Sequence, residues 1–104
     1  MIEIDDKNFA DVVSHTTGLL VLDFGAPWCQ PCKKLEPLLE ELAGVYKDRV
    51  AIAHCDVSHA QATAQRFKVM SVPTVVFLKG GEAVDRFIGL QSREKIVQMI
   101  DKHA

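Results

Sequence analysis

Apolar residues recur along the chain in two rhythms. Ile2-Glu3-Ile4 alternates, as a short strand does. Phe9, Val12 and Val13 then fall at helical spacing, behind Asp5 and Asp6, which are placed to cap that helix. Gly18 ends the connection. Leu19 to Phe24 is almost unbroken apolar sequence interrupted only by Asp23, the pattern of a strand covered on both faces. Gly25-Ala26-Pro27 breaks it. From Cys32 to about Tyr46, the residues Leu35, Leu38, Leu39, Leu42 and Val45 form one apolar stripe, with Lys33, Lys34, Glu36, Glu40 and Glu41 largely off it. Pro37 lies inside this helix and predicts a kink, because it has no N–H and crowds the preceding turn.

Val50 to Val57 reads as a third strand, and Ser58 to Phe67 as a short helix with Ala60, Ala64 and Phe67 inward. Thr74–Leu78 and Glu82–Ile88 are two more strands joined by Gly80-Gly81, a hairpin signal. Gly89 ends the last strand. Ser92 caps a final helix whose apolar positions are Ile96, Val97, Met99 and Ile100. The order is βαβαβαββα. It predicts an α/β fold, a mixed five-stranded central sheet flanked by four helices. Alternating βα units imply parallel pairing, and the Gly-Gly hairpin an antiparallel edge.

Composition narrows the picture. Residues 1–104 are too few for two ordinary domains, so a single domain is expected. A hydrophobic share of 48% with 25% charged residues is that of a packed globular protein. The formal charge of −2 comes with no basic face, which argues against nucleic acid. No run approaches the roughly 18 apolar residues of a membrane span. Met1-Ile2-Glu3-Ile4-Asp5-Asp6 has neither the basic nor the apolar region of a secretory signal. The expectation is a cytoplasmic monomer with no membrane partner. Three cysteines, Cys29, Cys32 and Cys55, are an odd count without a signal. That suggests a reducing compartment and cysteines kept for chemistry, metal or packing.

Cys29-Gln30-Pro31-Cys32 stands just after a buried strand and at the start of a long helix. Two cysteines so placed can form a disulfide with little backbone movement. Free N–H groups and the helix dipole favour an anion there, so the Cys29 thiol is expected to ionise easily. Cys32, one turn in, is expected to be more buried. That splits the roles: Cys29 attacks a substrate disulfide, and Cys32 resolves the mixed disulfide. Zinc is the competing use of such a pair, but it normally takes four ligands. Only Cys55 and the scattered His15, His54, His59 and His103 remain, none at ligand spacing.

Val21-Leu22-Asp23-Phe24, Trp28-Cys29-Gln30-Pro31-Cys32-Lys33, Val72-Pro73-Thr74, Gly81 and Gly89 follow one another in the order and spacing of the thioredoxin family. The chain resembles that family over essentially its full length. Burial of Asp23 in an apolar strand should raise its pKa; the resemblance makes it the proton acceptor beneath Cys32. The resemblance further implies a cis peptide before Pro73, packed against the disulfide. It implies that the Val72 backbone pairs with a bound substrate strand. Trp28, Ser71, Val72, Pro73, Gly89 and Leu90 would form a flat docking surface. The implied activity is reduction of protein disulfides, with no cofactor beyond the Cys29–Cys32 dithiol. The implied partners are disulfide-containing target proteins and a separate thioredoxin reductase, NADPH- or ferredoxin-linked, since the chain has no G-x-G-x-x-G nucleotide fingerprint. A disulfide oxidase or isomerase, and a binding module with secondary redox chemistry, are the alternatives on the same fold.

Three positions depart from the family pattern. Gln30 replaces a common Gly after the first cysteine, favouring the helix by about 1 kcal/mol and offering an amide to cover the sulfurs. Pro31 is retained where oxidising or isomerising relatives often carry His, which favours a reductant. Gly25 stands where a second tryptophan is frequent. His54 stands where a lysine often neighbours the buried Asp. Two readings are open for His54: a strand histidine bonded to a backbone group, or a group that tunes Asp23 and the pH profile. Cys55 reads as a packing residue. Lys33 reads either as a Coulombic aid to Cys32 or as a solvated helix lysine.

Overall fold

The computed structural model describes all residues, 1–104. The elements are β1 (Ile2–Ile4), α1 (Phe9–His15), β2 (Leu19–Gly25), α2 (Gln30–Val45), β3 (Val50–Asp56), α3 (Gln61–Arg66), β4 (Thr74–Lys79), β5 (Glu82–Ile88) and α4 (Arg93–His103). One five-stranded sheet runs in the order β1-β3-β2-β4-β5. This is the mixed sheet with four helices that the sequence predicts. No helix is long and apolar enough to cross a membrane.

Side-chain alternation divides the core into two layers. Leu19, Val21, Val50, Ile52, Val75 and Phe77 face α2 and α4, where they meet Leu35, Leu39, Leu42, Ile96 and Ile100. Leu20, Leu22, Phe24, Ala53, Cys55, Val76 and Leu78 face α1 and α3. β2 is buried along its whole length, as its unbroken apolar run requires. It pairs in parallel with β3 on one side and antiparallel with β4 on the other.

That second pairing corrects the expectation that every βα unit gives a parallel neighbour. β2 and β3 end on the same side of the sheet, where Gly25 is level with Asp56. A parallel β4 would need the chain to travel back about 23 Å, the length of a seven-residue strand. α3, with its 6 residues, spans about 9 Å. The loops on either side of it do not make up the rest: β4 starts where β2 ends, with Thr74 opposite Phe24, and runs the other way. The hairpin to β5 is as the sequence predicts, with Gly80 and Gly81 at φ +62° and +82°.

Local differences have local causes. α3 begins at Gln61 rather than Ser58, because Asp56 Oδ1 accepts from both the Ser58 N–H and its hydroxyl and closes a turn. Asp6 does not cap α1. Its carboxylate accepts from the N–H groups of Ala62 and Thr63 and from the Thr63 hydroxyl, supplying the cap that Ala60 cannot. Asp5 instead accepts from the Lys7 and Asn8 N–H groups. Val45 leaves the apolar stripe of α2 and is exposed, and Tyr46 is buried in its place. α2 begins at Gln30 and is continuous through Pro37. Ser92 caps α4 as the sequence predicts, its Oγ accepting from Lys95 N–H at 3.1 Å.

Candidate active site

The site forms where β2 hands the chain to α2. Cys29 is the N-cap of α2, with extended backbone, and Pro31 lies in the first turn where no intrahelical N–H is needed. Cys29 Sγ accepts from the Cys32 N–H at 3.3 Å, the place a capping oxygen normally takes. Cys29 and Cys32 are joined by a disulfide, with Cα atoms 5.3 Å apart.

The two cysteines do not differ in burial, contrary to the expectation that Cys29 is the exposed one. Each is 5% exposed. With Ala26 they form a small apolar cluster covered by Val57 and Val72. What separates them is hydrogen bonding. Only Cys29 Sγ receives a helix N-terminal N–H, and it also lies 3.8 Å from the Val72 carbonyl oxygen.

The Val72–Pro73 peptide is cis and Pro73 is buried. Gly89, at φ +83°, donates its N–H to the Pro73 carbonyl at 2.9 Å. This bond sets the start of the β5–α4 connection beside the Val72 segment. Ser71, Leu90 and Trp28 are exposed, Trp28 at 76%, while Val72 and Gly89 are half-buried. Two exposed apolar residues of the same region were missed: Met70, at 92%, and Ile88. Ile88 had a signal, because neighbouring Phe87 and Ile88 cannot both face the core from one strand. Met70 lies in a loop and had none. Val57, which packs on the disulfide, was also missed.

Asp23 is buried, and its Oδ1 has no hydrogen-bond partner in the protein. Burial pushes its carboxyl up to about 7; Glu36 and Glu3 add to the effect and His54 opposes it. Asp23 shares its face of β2 with Gly25, two residues on. A Cβ on Gly25 would stand 3.4 Å from Cys32 Sγ and 3.6 Å from His54 Nε2. The missing side chain is thus the space between those two groups. His54 bonds no backbone group: its Nδ1 lies 2.6 Å from Glu3 Oε1. Gln30 and Lys33 are exposed on α2, and neither hydrogen-bonds a sulfur. Cys55 is fully buried on the opposite face of the sheet, and burial pushes its thiol strongly up. No cluster of three or more His, Cys, Asp or Glu is arranged to hold a metal ion.

A family model described as thioredoxin matches residues 1–102. The chain is 42% identical to a thioredoxin of Staphylococcus saprophyticus over 103 residues, covering 99% of this chain and 97% of that protein. It is 41% identical to a thioredoxin of Staphylococcus haemolyticus and 38% identical to one of Staphylococcus aureus, with the same coverage. A protein of this kind exchanges electrons with a reductase and with disulfide-containing targets. The Cys29–Cys32 pair at the head of α2 is the exchangeable disulfide such work needs. With that disulfide and a family match along nearly its whole length, the chain belongs to the thioredoxin family and is a thiol–disulfide oxidoreductase.

Proposed function

We propose that the chain acts as a reductant of protein disulfides, with Cys29 as the attacking sulfur and Cys32 as the resolving one. The observation that carries the assignment is the Cys32 N–H directed at Cys29 Sγ. In the dithiol form that N–H and the positive end of α2 stabilise a thiolate on Cys29. The thiolate attacks one sulfur of a target disulfide, a Cys29–target bond forms, and the other target sulfur leaves as thiolate. Cys32 then loses its proton and attacks Cys29 Sγ. The Cys29–Cys32 bond forms, the bond to the target breaks, and the target leaves with two electrons gained. Asp23, buried under Gly25 and poised near neutrality, assists removal of the Cys32 proton.

Trp28, Ser71, Val72, Pro73, Gly89 and Leu90 receive the target, and Met70 and Ile88 extend the apolar surface. The backbone of half-buried Val72, whose carbonyl lies 3.8 Å from Cys29 Sγ, suits main-chain pairing with targets of many sequences. Pro31 supports the reducing direction, and Gln30, Lys33 and His54 shape the surroundings. The protein works as a cytoplasmic monomer with no cofactor, recharged by an NADPH- or ferredoxin-linked reductase. The test is a redox titration together with insulin disulfide reduction driven by candidate reductases. A midpoint near about −270 mV with turnover supports the reading, and one near about −120 mV assigns an oxidase instead.

A further inference from the structure

We propose that His54, oriented by Glu3, is a second proton acceptor for Cys32 in the resolving step, and the one that delivers the proton to solvent. The proposal rests on the reading of Cys32 as the resolving thiol.

The first argument is the tautomer. An ionised carboxylate only accepts hydrogen bonds, so the 2.6 Å contact requires His54 Nδ1 to donate to Glu3 Oε1. In a neutral imidazole that leaves Nε2 as a bare acceptor, and Nε2 has no hydrogen-bond partner within the protein. A carboxylate fixing one ring nitrogen so that the other can take a proton is the logic of His-assisted nucleophiles.

The second argument is position. Nε2 and Cys32 Sγ border the same gap over Gly25, at 3.6 and 3.4 Å from a Cβ placed there. They are therefore no more than about 7 Å apart, a span that one water bridges. Any larger residue at position 25 would fill this gap.

The third argument is access. Asp23 is sealed in the sheet, whereas the side chains of His54 and Glu3 are 17% and 70% exposed. Glu3, His54 and Asp23 form one row across β1, β3 and β2. The charged groups that act on His54 are Glu3 from β1, Asp23 from β2 and Asp56 along β3. None is a cation, and Glu3, in direct contact, favours an imidazolium formed in the step.

The step balances without any added oxidant. The Cys32 S–H proton passes to Nε2, the thiolate displaces the target from Cys29, and the imidazolium releases its proton to solvent. Asp23 acts from the buried side and His54 from the exposed side; Glu3 is a positioning residue.

The test is stopped-flow reaction of the reduced protein with the chromogenic disulfide of thionitrobenzoate. Attack by Cys29 releases the first chromophore, and resolution by Cys32 releases the second. His54→Gln should slow the second release about tenfold or more and leave the first unchanged. Glu3→Gln should slow it less. The pH profile of the second release should change shape in His54→Gln, which lacks the imidazole, and change less in Glu3→Gln, which keeps it. Added imidazole should restore part of the rate in His54→Ala. A second release unchanged in His54→Gln, or both releases slowed together, would overturn the proposal while leaving the roles of the cysteines intact. Absence of any Cys32-dependent second release would overturn the underlying reading instead. Nitrogen-15 NMR of the unmutated reduced protein gives a check that needs no variant: the Nδ1–H tautomer of His54 is expected, and the Nε2–H tautomer would overturn the proposal.

Discussion

Asp23 lies directly opposite His54 across the β2–β3 pairing, and the face they share carries α2 and the disulfide. One of the two is sealed from solvent and the other reaches it. The pairing sets a buried carboxyl beside a solvent-linked imidazole, and it fixes how pH should act on the protein.

Stability should fall as pH rises through the weakly acidic range. Burial lifts Asp23 from 3.8 to about 7. Below its unfolded value both states hold the proton and the carboxyl costs little. Between that value and about 7 the unfolded chain ionises while the folded one does not, so stability is lost progressively. The full loss, reached above neutrality, is of order 4 kcal/mol. Asp23→Asn should therefore stabilise the protein by about 2 kcal/mol or more at alkaline pH and by little under acid conditions, since the buried amide keeps part of the cost. Urea unfolding of both proteins at the two extremes measures it. An equal difference at both would contradict the account.

Cys55 should be silent in the folded protein. It is fully buried beneath α1 and α3, and burial holds its thiol in the neutral form. After reduction, a thiol reagent should modify Cys29 quickly, Cys32 more slowly, and Cys55 only after denaturant is added. Mass spectrometry of the labelled peptides reads the order directly.

Trp28 should matter for targets and not for folding. With 76% of its surface exposed, its replacement by Ala is expected to change stability by no more than about 0.5 kcal/mol. The same variant should raise KM for a protein disulfide several-fold, while reaction with a small-molecule disulfide stays nearly unchanged. Loss of both activities together would place Trp28 in the chemistry instead of the docking surface.

Much of this was legible in the chain because the signals are local. The unbroken apolar run of β2, the Gly80-Gly81 turn, the Ser92 cap and the cysteine spacing each depend on a few neighbouring residues. What was not legible depends on partners far along the chain. Asp6 caps α3 across 57 residues of sequence, and Glu3 fixes the His54 ring across 51. The reversed direction of β4 follows from how little distance α3 covers, which becomes decisive only once its true start at Gln61 is known. The equal burial of the cysteines follows from Val57 and Val72 packing on the disulfide, and both come from loops farther along the chain.

The central claim is that the two sulfurs are unequal, and single cysteine variants test it most directly. Cys32→Ser and Cys29→Ser would each be reduced, mixed with a disulfide-bonded target protein and examined by mass spectrometry. Cys32→Ser should accumulate a stable mixed disulfide through Cys29, and Cys29→Ser should form almost none at neutral pH. A Cys29→Ser protein that captures the target as fast as Cys32→Ser does would contradict the assignment of Cys29 as the attacking sulfur.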